Sequence, residues 1–162
     1  MDTNKITSLG GSWGIGTDCS GGNDDYDMIE ESRTALLLNN SKNLPTKVTP
    51  KKIFDISTIQ NFQRLTPYSD IIPMQINSFA DFITVDISNE KMQPLHDLVN
   101  NIVLSSSSRE VNDVIINGDE IIRNKIFINI DKDKIIYEAN VVLDKLLNKS
   151  NFTERINNGE FQ

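Results

Sequence analysis

The chain holds one cysteine, Cys19, and one histidine, His96, in 162 residues. A lone cysteine excludes an intrachain disulfide and a Cys-based zinc finger. A lone histidine excludes a metal cage built from several imidazoles of this chain by itself. Basic side chains are scarce as well: 16 Lys+Arg stand against 23 Asp+Glu, a net charge of −7 at pH 7. That balance argues against nucleic acid or an anionic membrane surface as a partner, because both recruit clustered Lys and Arg. No apolar run approaches the ~20 residues of a membrane-spanning helix. The opening Met1-Asp2-Thr3-Asn4-Lys5 is polar and starts no secretion signal, so the expected setting is cytoplasmic and reducing. Length is the last shortage. A complete (β/α)₈ barrel takes about 250 residues, whereas this chain has room for one domain, or one and a fraction.

What is present divides into two halves of different character. Ser12 to Thr17, bounded by Gly10-Gly11 and Gly21-Gly22, suits a short buried strand that opens into a loop at Asp18. A helix is predicted next, capped by Asn23 or Asp24, with acids up to Glu31 at its positive end and Met28, Ile29, Ala35, Leu36 and Leu38 on its apolar side. It runs out at Asn39-Asn40, and a polar linker leads to Val48. Thr49-Pro50 signals a second helix start; Ile53, Ile56, Ile59, Phe62 and Leu65 recur along it until Pro67, and a loop follows to Asn77.

The second half reads as small β-structure with a terminal helix. Phe79 to Ile87 is a predicted strand, with Ile83, Val85 and Ile87 on one face. Leu95 to Leu104 is apolar but of undecided type. Val111–Ile116, the Asn117-Gly118 pair and Ile121-Ile122 predict a hairpin, because Asn-Gly tolerates the positive φ angles of a type I′ turn. Ile126, Ile128 and Ile130 alternate as in a further strand. Ile135, Ile136, Ala139, Val142, Leu143, Leu146 and Leu147 follow helical spacing, with Asp131 or Asp133 as the cap and a polar, frayed tail after Asn148. The alternating charges of Asp131-Lys-Asp-Lys134 fit a solvated helix entry. The first half alone makes a poor domain, since one strand has no sheet to join and its helices no layer to cover.

Gly16-Thr17-Asp18 is the candidate for chemistry. A carboxylate at the end of a short apolar strand, followed by a glycine-rich loop, lies where α/β enzymes put reactive groups. A turn former or helix cap is the structural alternative for the same Asp. Gly14-Ile-Gly16 does not continue into a dinucleotide-binding Gly-x-Gly-x-x-Gly, and no Gly-Lys-Ser/Thr phosphate loop occurs.

The stretch from Trp13 to Arg33, WGIGTDCSGGNDDYDMIEESR, resembles the last barrel strand and following helix of the amidohydrolase superfamily, in its deaminase/chlorohydrolase branch, which includes the methylthioadenosine/S-adenosylhomocysteine deaminases. Three downstream segments resemble that family in the same order: Ile56–Leu65 its "Ala-Thr-x-x-Gly-Ala-x-x-Leu" helix, Ala80–Asp86 its "Ala-Asp-x-x-x-x-Asp" strand, and Val111–Gly118 its hairpin.

The resemblance implies an α/β fold. Residues 1–68 would supply the last βα unit of a metal-dependent (β/α)₈ barrel, 69–148 part of a small β-sandwich with a C-terminal helix, and 149–162 a polar tail. It implies hydrolytic deamination of a purine-like, small-molecule ring, with zinc or iron in the intact enzyme. Asp18 matches the family's metal-binding and proton-shuttling Asp, with Ser20 and Asn23 as substrate-loop candidates. The family's His-x-His, its further metal histidines and its catalytic Glu have no counterpart here, and His96 is expected to pack or hydrogen-bond instead. A chain missing those groups is not expected to hold the metal tightly by itself. It therefore reads as a C-terminal portion, as one subunit of a split enzyme whose N-terminal half supplies the histidines, or as a non-catalytic remnant acting as an interaction module. Exposed barrel edges would favour homo-oligomers. Cys19 has no neighbouring base to activate it, Trp13 is expected to pack, and Asp24, Asp25 and Asp27 are expected to serve the helix start. Asn61, within the matched helix, stands where the family usually has Gly, Ser78-Phe79 replace its Gly-Lys, and Asn124 occupies a turn where Gly is common; these are expected to loosen the family's turns without contradicting the fold.

Overall fold

The computed structural model describes residues 3–41, 47–65, 74–150 and 152–159, and it divides into two compact units, Met1–Lys125 and Ile126–Gln162. The linker residues 42–46, Pro67 and most of the loop predicted around it lie outside the described residues.

The first unit opens with helix α1 (Thr3–Ser8), followed by an irregular extended stretch through Cys19. The strand predicted over Ser12–Thr17 does not form as such. Its backbone takes no ladder partner among the described residues, and a strand is defined by pairing with a neighbour. Helix α2 spans Met28–Ser41. Its cap is neither Asn23 nor Asp24 but Asp27, whose Oδ1 accepts from the backbone N–H groups of Ile29 at 2.9 Å and Glu30 at 3.2 Å. The two earlier residues are held outside the helix by a turn, in which Cys19 O accepts from both Gly22 N and Asn23 N.

Helix α3 (Pro50–Asp55) starts as predicted, with Thr49 Oγ1 accepting from Lys52 N at 3.2 Å. It runs through a π-helical turn, Ile56–Gln60, into α4 (Asn61–Leu65). The wider turn shifts the helix phase. Ile53 and Ile56 are fully buried, whereas Ile59, the next residue of the predicted stripe, is 40% exposed.

Strand β1 (Phe82–Val85) is the centre of the longer predicted strand, and the undecided stretch 95–104 resolves as helix α5 (Leu98–Ser105), capped by Asp97. β2 (Val111–Ile116) and β3 (Asp119–Arg123) form the predicted hairpin, with φ of 52° at Asn117 and 84° at Gly118. Within this unit β1, β2 and β3 pair antiparallel in that order, Ile83 opposite Val114 and Val114 opposite Ile122. Asn124 takes a φ of 49°, a left-handed conformation that asparagine reaches more readily than most residues.

The core of this unit is helical. Leu36 of α2, Val48, Ile53 of α3 and Val103 of α5 form one buried cluster, with Trp13, Ile15, Ala35, Phe54 and Val99 packed against it. Arg33 ties α2 to the end of α5 by donating to the carbonyls of Val103 and Ser106. Between these helices and the sheet lies an apolar cleft of about 530 Å³, walled by Met28, Ile29, Phe54, Ile83, Ile102 and Val114 among others.

The second unit contains the short strand β4 (Ile126–Phe127), helix α6 (Lys132–Ser150) and helix α7 (Phe152–Asn157). The alternation predicted through Ile130 stops early, because the chain bends at Ile128-Asn129. Asp131 is the cap of α6, accepting from Lys134 N at 2.9 Å. The tail expected to fray after Asn148 stays helical to Ser150, with a further helical turn and a half in α7. No helix among the described residues is long and apolar enough to cross a membrane.

Candidate functional site

Asp18 stands at the end of the extended stretch with a φ of 58°. This left-handed bend swings the chain away from the line of Trp13–Thr17 into the turn that leads to α2. Glycine is favoured in such a conformation, and Asp is among the few side chains enriched there. The carboxylate is exposed and lines an open cleft of about 320 Å³, whose walls include Thr17, Gly22, Asn23, Glu30, Glu31 and Thr34. Asp18 Oδ2 lies so near Gly22 that an added Cβ there would touch it at 3.4 Å.

The other sequence candidates are already engaged. Ser20 Oγ shares a hydrogen bond with the Tyr26 hydroxyl at 2.6 Å, and Asn23 Nδ2 donates to Glu31 Oε1 at 2.6 Å. Of the two, Asn23 lines the cleft with Asp18 and Ser20 does not. Cys19 is a free, exposed thiol. Trp13 packs against the helical core and its indole N–H reaches Thr7 Oγ1 at 3.4 Å. His96 lies exposed on the loop before α5, outside the cleft. Glu31 and Thr34 belong to the cleft without having been singled out in sequence; only their helical spacing on α2, three residues apart, places them on one face.

Two of the acids before α2 serve structure: Asp25 Oδ1 accepts from Asp27 N at 3.1 Å, and Asp27 caps the helix. Asp27 is buried, and its second oxygen accepts from Ser108 N at 2.7 Å. Burial raises its pKa, but the hydrogen bonds from the backbone of Ser108, Glu30 and Ile29 outweigh that and hold the carboxyl below its ordinary range.

A catalytic zinc takes three protein ligands and keeps one position open. Asp18 offers one carboxylate, and among the described residues no group of three or more His, Cys, Asp or Glu could hold a metal ion. The residues present therefore do not by themselves make a zinc site.

The extended stretch below Asp18 is held by helix α4. Asn61 Nδ2 donates to Ile15 O at 2.7 Å, and Arg64 to Trp13 O at 2.5 Å. Asn61 thus lies inside a helix, as the matched segment implied, and grips its neighbour.

No family model matches the chain. Among curated proteins it is 31% identical over 127 residues to a 5-methylthioadenosine/S-adenosylhomocysteine deaminase of Bacillus cereus, covering 78% of this chain and 29% of that protein. It is 30% identical over 146 residues to the deaminase of the same name from Pelotomaculum thermopropionicum, covering 90% and 34%. An S-triazine hydrolase of Gordonia rubripertincta shares 29% over 123 residues, covering 75% and 26%. Among solved structures, a zinc-bound adenosine deaminase from Xanthomonas campestris superposes with a TM-score of 0.79 at 26% identity, over 86% of this chain and 32% of that one. An atrazine chlorohydrolase from Arthrobacter aurescens shares the fold at a TM-score of 0.73 and 16% identity. The chain spans roughly a third or less of these relatives' length. A mixed α/β chain with a small antiparallel sheet and these relatives is, over the part it shares with them, a homologue of the 5-methylthioadenosine/S-adenosylhomocysteine deaminases of the amidohydrolase superfamily.

Proposed function

We propose that this chain is the C-terminal portion of a metal-dependent amidohydrolase that hydrolytically deaminates a purine-like heteroaromatic ring. Residues 1–68 are its last βα unit of a (β/α)₈ barrel, 69–148 part of a β-sandwich with a terminal helix, and 149–162 a polar tail. The observation that carries this reading is Asp18, a carboxylate on a left-handed bend beside an open cleft, in a chain whose relatives include deaminases and a triazine hydrolase.

Asp18 is proposed as one metal ligand and as the proton carrier of the reaction. It can accept a proton from an attacking water and return it to the departing amine, and positioned proton transfer of this kind contributes about 10²–10⁴-fold. Asn23 and, less directly, Ser20 border the same loop and are the proposed substrate-side residues. Zinc or iron is the expected ion, and its remaining ligands must come from outside the described residues.

The proposed partner is the polypeptide that carries those histidines, whether it precedes this chain or is a second subunit of a split enzyme. The ligand is a small molecule, with no nucleic acid or membrane involved, and the setting is cytoplasmic. Self-association is also proposed. A non-catalytic remnant acting as an interaction module is the competing reading, favoured by the lack of a three-ligand group among the described residues.

Purification of the protein from its own cell, with elemental analysis, separates these readings. The enzyme reading expects a tightly associated His-x-His-bearing segment and about one metal ion per assembled site. A stable, metal-free monomer would leave the remnant reading standing instead.

A further inference from the structure

We propose that Asn61 and Arg64 are positioning residues for Asp18, a helix-borne clamp on the stretch that carries it. This inference rests on the reading of Asp18 as the reactive carboxylate. The stretch that carries Asp18 is extended but unpaired among the described residues. Its carbonyls at 13 and 15 are two positions apart, so they face the same side at a spacing of roughly 6.6–6.8 Å. Residues 61 and 64 are three positions apart on α4, on one helix face and only about 4.5 Å apart along its axis. The short Asn61 side chain and the long Arg64 side chain make up that mismatch, reaching Ile15 O at 2.7 Å and Trp13 O at 2.5 Å. Arg64 is steadied by a second hydrogen bond, from Nη2 to Gln60 Oε1 at 3.1 Å.

The grip leaves no room for a Cβ between the two carbonyls while the Asn61 side chain keeps its place. A Cβ placed on Gly14 would collide with Asn61 Oδ1. With Trp13 and Ile15 held by their carbonyls and Gly14 flattened against Asn61, the chain has little slack before it enters the left-handed bend at Asp18. The clamp therefore fixes where the carboxylate leaves the backbone and keeps it at the cleft bordered by Asn23 and Glu31.

The test is NMR of the isotopically labelled chain. Asn61→Asp preserves the side-chain shape and removes the N–H donor; Arg64→Met removes the second donor and keeps an unbranched apolar stem, and Arg64→Lys restores a donor. The clamp predicts that the first two variants move the Asp18 backbone shifts and its three-bond amide–Hα coupling from left-handed towards extended values. Arg64→Lys should keep them, and in every variant Asp27 should still titrate below the ordinary range. Unchanged Asp18 signals in both Asn61→Asp and Arg64→Met would overturn the proposal.

A thermal cycle provides a second readout if either variant unfolds. Gly14→Ala should lower Tm by several degrees in the native background and hardly at all in Asn61→Gly. Equal losses in the two backgrounds would contradict the clamp. Neither measurement needs metal or substrate. A clamp that holds while Asp18→Asn leaves deamination intact would remove the catalytic reading and spare the clamp.

Discussion

Asp27 shows how one residue joins distant parts of this chain. Its Oδ1 caps α2, and its Oδ2 takes the backbone N–H of Ser108 from a segment 81 residues away. Losing an N-cap costs about 0.5–2 kcal/mol, and Asp27→Ala also leaves the Ser108 N–H without its acceptor. The expected loss is thus at the upper end, about 2 kcal/mol, read from the urea midpoint at neutral pH. Asp27→Asn, which still caps, should lose less. Glu110 behaves alike. Burial raises its pKa, but hydrogen bonds from the Ser107 hydroxyl and backbone, with Lys91 nearby, bring it below its ordinary value. A depressed folded-state pKa means stability that is fully present above the unfolded-state value, near 4, and is lost as pH falls through the folded value. Unfolding titrations from pH 6 to pH 2 should show stability dropping below about pH 4. The Asp27→Asn, Glu110→Gln double variant should show a shallower drop, and an unaltered acid profile in it would contradict this assignment.

At the scale of elements, the hairpin offers the sharpest test. Gly118 holds a φ of 84° with nothing within 4 Å of an added Cβ, so Gly118→Ala meets backbone strain rather than a clash. About 1–2 kcal/mol of destabilisation is expected, measurable by thermal denaturation, whereas a neutral result would deny the type I′ geometry. This hairpin, the Thr49-Pro50 helix start and α6 were legible in sequence because each is set by local chemistry: a turn pair that accepts positive φ, a hydroxyl cap before proline, a continuous apolar stripe. The Ser12–Thr17 segment was not, since a strand needs a partner that periodicity cannot supply. The cap of α2 was misplaced because the choice among Asn23, Asp24 and Asp27 is made by Ser108 and by the turn at Cys19. The π-turn at Ile56–Gln60 likewise moved Ile59 off the buried stripe without a local signal. Of the cleft, the position of Asp18 at a bend after the apolar stretch was legible, and that of Asn23 on the loop that follows. Asn61 and Arg64 were not, because their role depends on two carbonyls nearly fifty residues earlier in the chain.

For the molecule as a whole, the decisive feature is apolar surface without cover. Ile83 and Ile116 of the first unit are 50% and 53% exposed, and on α6 of the second Ile135, Val142 and Leu146 are 55%, 54% and 59% exposed. Exposed apolar clusters of this kind mark interaction faces, and the chain spans only about a third or less of its relatives. By itself the protein is expected to self-associate as concentration rises, and sedimentation velocity across a concentration series reads this directly; a strictly monomeric chain would speak against it. The account centres, however, on a single carboxylate. The most direct test is the deamination rate of the proposed assembly, this chain with its His-bearing partner segment, with Asp18 intact and as Asp18→Asn. Asparagine tolerates the same left-handed bend, so the turn is preserved while the proton carrier is lost. A fall of about 10²–10⁴-fold with the assembly intact is the predicted result, and a variant that turns over at the native rate would contradict the role assigned to Asp18.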